Sequence, residues 1–177
     1  MECPRPEEFL HLAKIEHVGL GASQDQLVLP EPVYQALEHL LSWRLEPLNG
    51  DAGSEIFFSP RDLAPHLSEI NDLSRALHRD LHPLGIIDSG SFLLMDDAGE
   101  CFCLHTCSPD AYYLGSLRTA IQASLTWKGF RPILPRRDYL QWHGVHVYKP
   151  DDDRVFWIEC ERWIDPDHSA CPEDLPE

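Results

Sequence analysis

The sequence predicts an α+β fold in one domain, with N-terminal helices and a largely antiparallel sheet on which one late helix packs. Two observations predict it. Apolar residues recur at helical spacing through most of the first 80 positions, and short apolar runs broken by Asp, Gly and Ser follow from Leu84 to Leu114. A third adds the late helix: Leu117, Ala120, Ile121, Ser124 and Leu125 share one helical face after those runs. Helices and strands are segregated, not alternating, which argues against a doubly wound α/β sheet. At 177 residues the chain is of one-domain size and can bury roughly two-thirds of its unfolded surface.

In chain order, residues 6–18 carry Phe9, Leu10, Leu12, Ala13 and Ile15 among charges, which suits a short amphipathic helix closed by Gly19. A loop through Gly21 and Ser23 follows. Leu29-Pro30-Glu31-Pro32 opens a second helix on which Val33, Ala36, Leu37, Leu40 and Leu41 recur, ending before Pro47. Asn49-Gly50-Asp51 reads as a turn into a strand at Glu55-Ile56-Phe57-Phe58. Ser59-Pro60-Arg61-Asp62 starts a third helix with the stripe Leu63, Leu67, Ile70, Leu73 and Leu77, and Pro65 predicts a break after its first turn.

From Leu84 the period shortens. Residues 84–88, 91–95 and 101–105 read as strands of a meander, with a hairpin at Asp96-Asp97-Ala98-Gly99. After a loop at Ser108-Pro109-Asp110, residues 111–114 predict another strand, and Ser116 caps the late helix, with Gly129 past its end. A proline-rich connection spans residues 131–135. Residues 139–148 and 155–163 read as two strands joined across Lys149-Pro150-Asp151-Asp152-Asp153, so the domain is expected over 1–164, with an acidic, flexible tail at 165–177.

Thirty acidic residues stand against 14 basic ones, a net charge of −16, which repels nucleic acid and anionic membranes and attracts basic proteins. The same charge also serves plain solubility. No apolar stretch approaches the ~20 residues of a membrane span, and no basic segment followed by an apolar stretch marks secretion, so the cytoplasm is the expected compartment. The six cysteines, Cys3, Cys101, Cys103, Cys107, Cys160 and Cys171, are then expected as reduced thiols. No Gly-rich phosphate loop follows any strand, so no nucleotide cofactor is expected.

The order of several signals resembles the SUKH superfamily. These are Ile15-Glu16 with Gly19, Leu29-Pro30 opening a helix that contains Tyr34, the turn at Asn49-Gly50, the strand and helix from Phe57 to Leu77, Leu84-Gly85, Phe92-Leu93-Leu94-Met95-Asp96, Gly99, and the strand-to-helix step of residues 112–121. The resemblance covers roughly residues 15 to 128; Asp51 stands where the family usually shows a second glycine, and the C-terminal segment lies outside the pattern. It implies an α+β protein without catalytic residues, of a kind that in bacteria commonly acts as an immunity protein neutralising a cognate toxin, often a nuclease. Viral members of the superfamily also exist. An acidic inhibitor fits a nuclease whose surface must be basic to hold phosphates.

Four constellations bear on chemistry. Cys101, Cys103, His105 and Cys107 alternate and would share one strand face, but a line of side chains about 6 to 7 Å apart does not make the tetrahedral cage that zinc needs, so buried thiols and no metal are expected. No local signature surrounds any cysteine as a nucleophile, and His143 with His146 suggests no pair. The carboxylates Asp96, Asp97, Asp151, Asp152 and Asp153 sit in turns, where Asp is favoured for backbone reasons, yet they can also steer a basic partner. Among the C-terminal aromatics, Trp157 is the candidate anchor for a partner, against the plainer expectation that these rings are covered by helices or by self-association.

The expected function is therefore a non-enzymatic immunity (antitoxin-like) protein, without cofactor or metal, binding a basic toxin domain through Asp96, Asp97, Asp151, Asp152, Asp153 and Trp157. An interaction adaptor of a regulatory system is the alternative, and a thiol or metal enzyme the third reading.

Overall fold

The computed structural model describes residues 3–18, 29–48, 53–105, 110–137, 139–143 and 145–159. They form one domain around a nine-stranded, mostly antiparallel sheet. Its strands, in chain order, are β1 (Ala13–His17), β2 (Trp43–Pro47), β3 (Ile56–Phe57), β4 (Leu81–Ile87), β5 (Ser91–Asp96), β6 (Glu100–His105), β7 (Ala111–Ser116), β8 (Arg131–Pro135) and β11 (Phe156–Ile158). Each pairs with the next in that order, and only β11 against β8 is parallel. A separate two-stranded ribbon pairs β9 (Gln141–His143) with β10 (His146–Tyr148). The helices are α1 (Glu31–Leu37), α2 (Leu67–Leu77) and α3 (Leu117–Thr126).

The meander forms because strands β4 to β7 carry apolar residues on both faces, as strands buried on two sides must. Leu93 and Met95 of β5 join Cys101 and Cys103 of β6 and Leu114 of β7 in a core closed by Val33, Ala36 and Leu37 of α1 and Leu117, Ala120 and Ile121 of α3. The residues between them, Phe92, Leu94, Phe102 and Leu104, face the other way and meet Leu63 with Ile70, Leu73 and Leu77 of α2. The late helix packs on the sheet as expected. Its Ser116 accepts a hydrogen bond from the Thr119 amide at 3.4 Å, and the hairpin at Asp96 closes with the Gly99 amide donating to the Asp96 carbonyl at 3.0 Å.

Pro65 acts as anticipated: Pro60–His66 is a 3-10 segment that ends where α2 begins. Lacking an N–H, proline is tolerated where the tighter turn leaves fewer bonds to break.

Four expectations are corrected. The N-terminal helix is a 3-10 turn, Pro6–Phe9, followed by β1, because the alternating segment from Ala13 pairs in full register with β2 and buries Ala13 at the sheet edge. The second helix stops at Leu37, and Trp43–Pro47 becomes a strand whose Leu45 is buried while Arg44 and Glu46 face outward. Residues 131–135, anticipated as a connection, are β8, because Ile133 is buried in the core opposite Phe156 of β11 while Arg131 and Pro132 lie opposite Tyr113 and Tyr112 of β7. Residues 139–148 are not one strand: the chain reverses between His143 and His146 to make the ribbon, and Phe156–Ile158 leaves it to pair with β8. The loop at Gly21 and Ser23, the turn at Asn49-Gly50-Asp51, Ser108-Pro109, Cys107, and residues 160–177 with the anticipated tail lie outside the described residues.

Backbone approaches closely at Gly85, where the register of β4 against β5 shifts and β3 lies alongside. A Cβ at this position would stand 2.2 Å from the Phe57 carbonyl oxygen and 2.9 Å from Phe58 Cα, backbone atoms that cannot turn aside. Gly85→Ala is expected to lower unfolding stability by about 2 kcal/mol or more in urea titration, the range of overpacked cores; a loss under about 0.5 kcal/mol would show that β3 moves freely.

Candidate functional site

The two acidic turns are built differently. In the β5–β6 hairpin Asp96 is only 3% exposed. Its Oδ1 accepts the Ala98 and Glu100 amides at 3.0 and 2.8 Å, and its Oδ2 accepts Arg79 Nη1 at 2.5 Å. Arg79 also pairs with Glu100, whose Oε1 accepts the Tyr113 hydroxyl at 3.0 Å. The guanidinium lies 5.7 Å from the Phe102 ring centre and 5.8 Å from that of Phe156. Asp96 thus serves the turn and Arg79, and faces inward. Its neighbour Asp97 points out, 3.0 Å from His82 Nε2.

In the loop before β11, Asp151 adopts a left-handed conformation (φ 62°) and lies 3.2 Å from Arg136 Nη1. Asp152 accepts three bonds from Arg154, from its amide at 3.0 Å and its guanidinium at 2.9 and 2.7 Å, and these hold the carboxyl down at about 2. The Asp152 carbonyl accepts the Trp157 indole N–H at 3.0 Å, and that ring packs on Leu134, Tyr148 and Val155. Asp153 is exposed. Of the six anticipated contact residues, then, Asp97, Asp151 and Asp153 display their carboxylates, Asp152 and Trp157 shape the loop that carries two of them, and Asp96 is withdrawn. The turns use different partners: Arg79 and His82 for one, Arg136 and Arg154 for the other.

The alternating cysteines divide along β6. Cys101 and Cys103 are buried opposite Met95 and Leu93, on the α1 and α3 side. Desolvation pushes the Cys103 thiol up to about 12 and the Cys101 thiol higher still, so neither is a thiolate or nucleophile near neutral pH. Among the described residues no cluster of three or more His, Cys, Asp or Glu could hold a metal ion.

Sequence reasoning missed a polar array where the ribbon meets the sheet. His143 Nε2 lies 3.2 Å from the Tyr112 hydroxyl and its Nδ1 lies 3.6 Å from Asp110. His105 packs edge-on against the Tyr112 ring, with its Nδ1 2.8 Å from Ser91 Oγ. Burial pushes the Tyr112 phenol up to about 12. His143 was read beside its sequence neighbour His146, but its partner Tyr112 lies 31 positions away, and nothing local signals that contact. A hollow lined by Arg44, Glu55, Phe57, Ile86 and Asp88 was also not foreseen. There the Arg44 guanidinium stands 5.4 Å above the Phe57 ring, with Nε 3.1 Å from Glu55 but without an aligned hydrogen bond.

Removing the Arg79 side chain strands the buried Asp96 carboxylate. Arg79→Leu is expected to cost about 3 kcal/mol in chemical denaturation, whereas Asp97→Asn at the exposed neighbouring position should stay within about 0.5 kcal/mol; equal effects would mean that the hairpin does not depend on the inner pair.

Burial, reinforced by the charge of His143, lowers the His105 pKa against the opposing pull of Asp110. A histidine kept neutral by the fold leaves stability complete above its unfolded value of 6.5 and withdraws it progressively as pH falls below that. Denaturation midpoints of the protein should therefore drop from pH 7 to pH 5. In His105→Gln that decline should be shallower; an unchanged slope would assign the pH dependence elsewhere.

Compared with protein-family models, with curated proteins and with solved structures, the chain matches none.

Proposed function

We propose that the protein is a non-enzymatic immunity (antitoxin-like) protein of the SUKH kind, acting in the cytoplasm by binding a basic partner such as the nuclease domain of a toxin. The observation that carries the reading is the charge of −16 together with its display: Asp97, Asp151 and Asp153 hold carboxylates at the surface on two separately braced turns. Carboxylates fixed in position attract a basic surface from a distance and cost little ordering when they meet it. The ion pairs of Arg136 and Arg154 fix the second turn's shape without cancelling Asp153. Buried thiols and a hydrogen-bonded Tyr112 fit a binding role better than a nucleophile's.

The test has two stages. Tagged protein is exposed to lysate of its own source at low and at high salt, and the retained proteins are identified by mass spectrometry. A stoichiometric basic partner released by salt is expected. Against that partner, Asp97→Asn with Asp151→Asn and Asp153→Asn should slow association about tenfold at low salt and flatten its salt dependence, with dissociation little changed. Retention of only acidic or salt-insensitive partners, or a triple variant that associates as fast as the parent, would sink the reading.

A further inference from the structure

The hollow between β2, β3 and β4 carries charge of both signs around an apolar floor. Arg44, Phe57 and Ile86 stand in one cross-strand row, so their side chains share a face of the sheet. It is the face on which Phe92, opposite Ile86 on β5, meets α2. Glu55 and Asp88 stand side by side two residues further along, where the Asp88 amide donates to the Glu55 carbonyl at 2.9 Å. These five residues enclose about 340 Å³, which lies within the size range of small-ligand sites.

The charges are imperfectly matched to one another. The Arg44 guanidinium lies 5.4 Å over the Phe57 ring, and its Nε, shut off from solvent, stands 3.1 Å from Glu55 yet makes no aligned hydrogen bond among the described residues. A buried N–H without an acceptor is unfavourable, so an acceptor that draws the guanidinium round to present Nε and Nη together recovers that cost. A carboxylate does so, as a fork on a fork. Taking Arg44 leaves Glu55 beside Asp88 without its cation, and neighbouring carboxylates favour an incoming positive charge. An anion alone therefore strands Glu55, and a cation alone leaves the Arg44 Nε as it is. A zwitterion whose two charges sit one carbon apart serves both, at the close spacing of the pair it parts. Phe57 and Ile86, both half-buried, then receive an apolar side chain.

We propose that this hollow binds a free α-amino acid with an aromatic or branched apolar side chain. Its carboxylate pairs with Arg44, its ammonium with Glu55 and Asp88, and its side chain lies on Phe57 and Ile86. The site is separate from the acidic turns and does not rest on the immunity reading. Because the Arg44 and Glu55 side chains are half-exposed, their attraction is screened, so binding is of millimolar order and weakens as salt is added.

Titration of the full chain with L-phenylalanine and with L-leucine, followed through backbone amide shifts, tests it. A Kd of about 1 mM is expected, with the shifts centred on Phe57, Ile86 and Asp88. Hydrocinnamate, which lacks the ammonium, and phenethylamine, which lacks the carboxylate, should bind at least about tenfold more weakly than L-phenylalanine. Arg44→Leu should weaken L-phenylalanine by a similar factor, while Asp153→Asn on the acidic loop should leave its binding unchanged, and the amide spectra report whether each variant is folded. Should Arg44→Leu lose its fold, Glu55→Gln serves, with the same loss expected. The absence of any shift up to about 20 mM of both amino acids would overturn the proposal. So would shifts centred away from the hollow, an acid or amine that binds as tightly as the amino acid, or a folded Arg44 or Glu55 variant that binds like the parent.

Discussion

Every residue of β5 is buried, from Ser91 to Asp96, and that constraint organises the molecule. A strand covered on both faces needs a core on each side, so Phe92 and Leu94 require α2, and Leu93 and Met95 require α1 and α3. Its flanking strands inherit the same demand: Cys103 lies opposite Leu93, and Ile86 opposite Phe92. The sheet can end only where this two-sided cover ends. Toward β1 the strands become polar on one face, at Lys14, Arg44 and Glu46, and the outermost strand carries Lys14, Glu16 and His17 in exposed positions, which guards a free edge against further pairing. Toward β11 a three-residue parallel strand closes the other side.

The meander was legible because its turns are written in residues with few alternatives. Asp96 and Gly99 specify the hairpin, and the period-2 pattern on either side leaves one register that buries both cores. The outer strands were less legible for the converse reason. β1 contains only two apolar residues, Ala13 and Ile15, which fit a helical stripe with Phe9 and Leu12 as well as they fit a strand edge. What decides the matter is β2, whose backbone can be satisfied only by a partner about 30 positions earlier. The same holds for β8, where two prolines suppress any local strand signal and the pairing is supplied by β7 and β11.

For the candidate site, composition identified the acidic turns but could not separate neighbours within them. Asp96 and Asp97 are chemically identical and adjacent, yet one closes the hairpin against Arg79 and the other stands in water. The difference is strand parity: β5 sends alternate residues to opposite faces, and Arg79 arrives from the end of α2 on the face of Asp96. Trp157 follows the same logic. Phe156 and Ile158 are spent on the α2 side of the sheet, which leaves the indole to the ribbon side, where Tyr148 and Leu134 receive it.

The ribbon shows how far a local pattern can mislead when a reversal interrupts it. Read as a continuous strand, residues 139–148 place His143 and Val145 on one face and His146 and Tyr148 on opposite faces from their true neighbours. Folding the segment back pairs His146 with His143 and Tyr148 with Gln141, so that Gln141 reaches Pro135, His143 reaches Tyr112 and Tyr148 packs on Leu134 and Trp157. Turning Gln141 and His143 inward costs little, because Gln141 finds the Pro135 carbonyl and His143 the Tyr112 hydroxyl. Turning Val145 outward is a different matter, since exposed apolar area is stabilised only by something that covers it. Nothing within the described part of the fold supplies that cover, and Val145 stays 86% and Val147 37% exposed while Tyr148 beside them is buried.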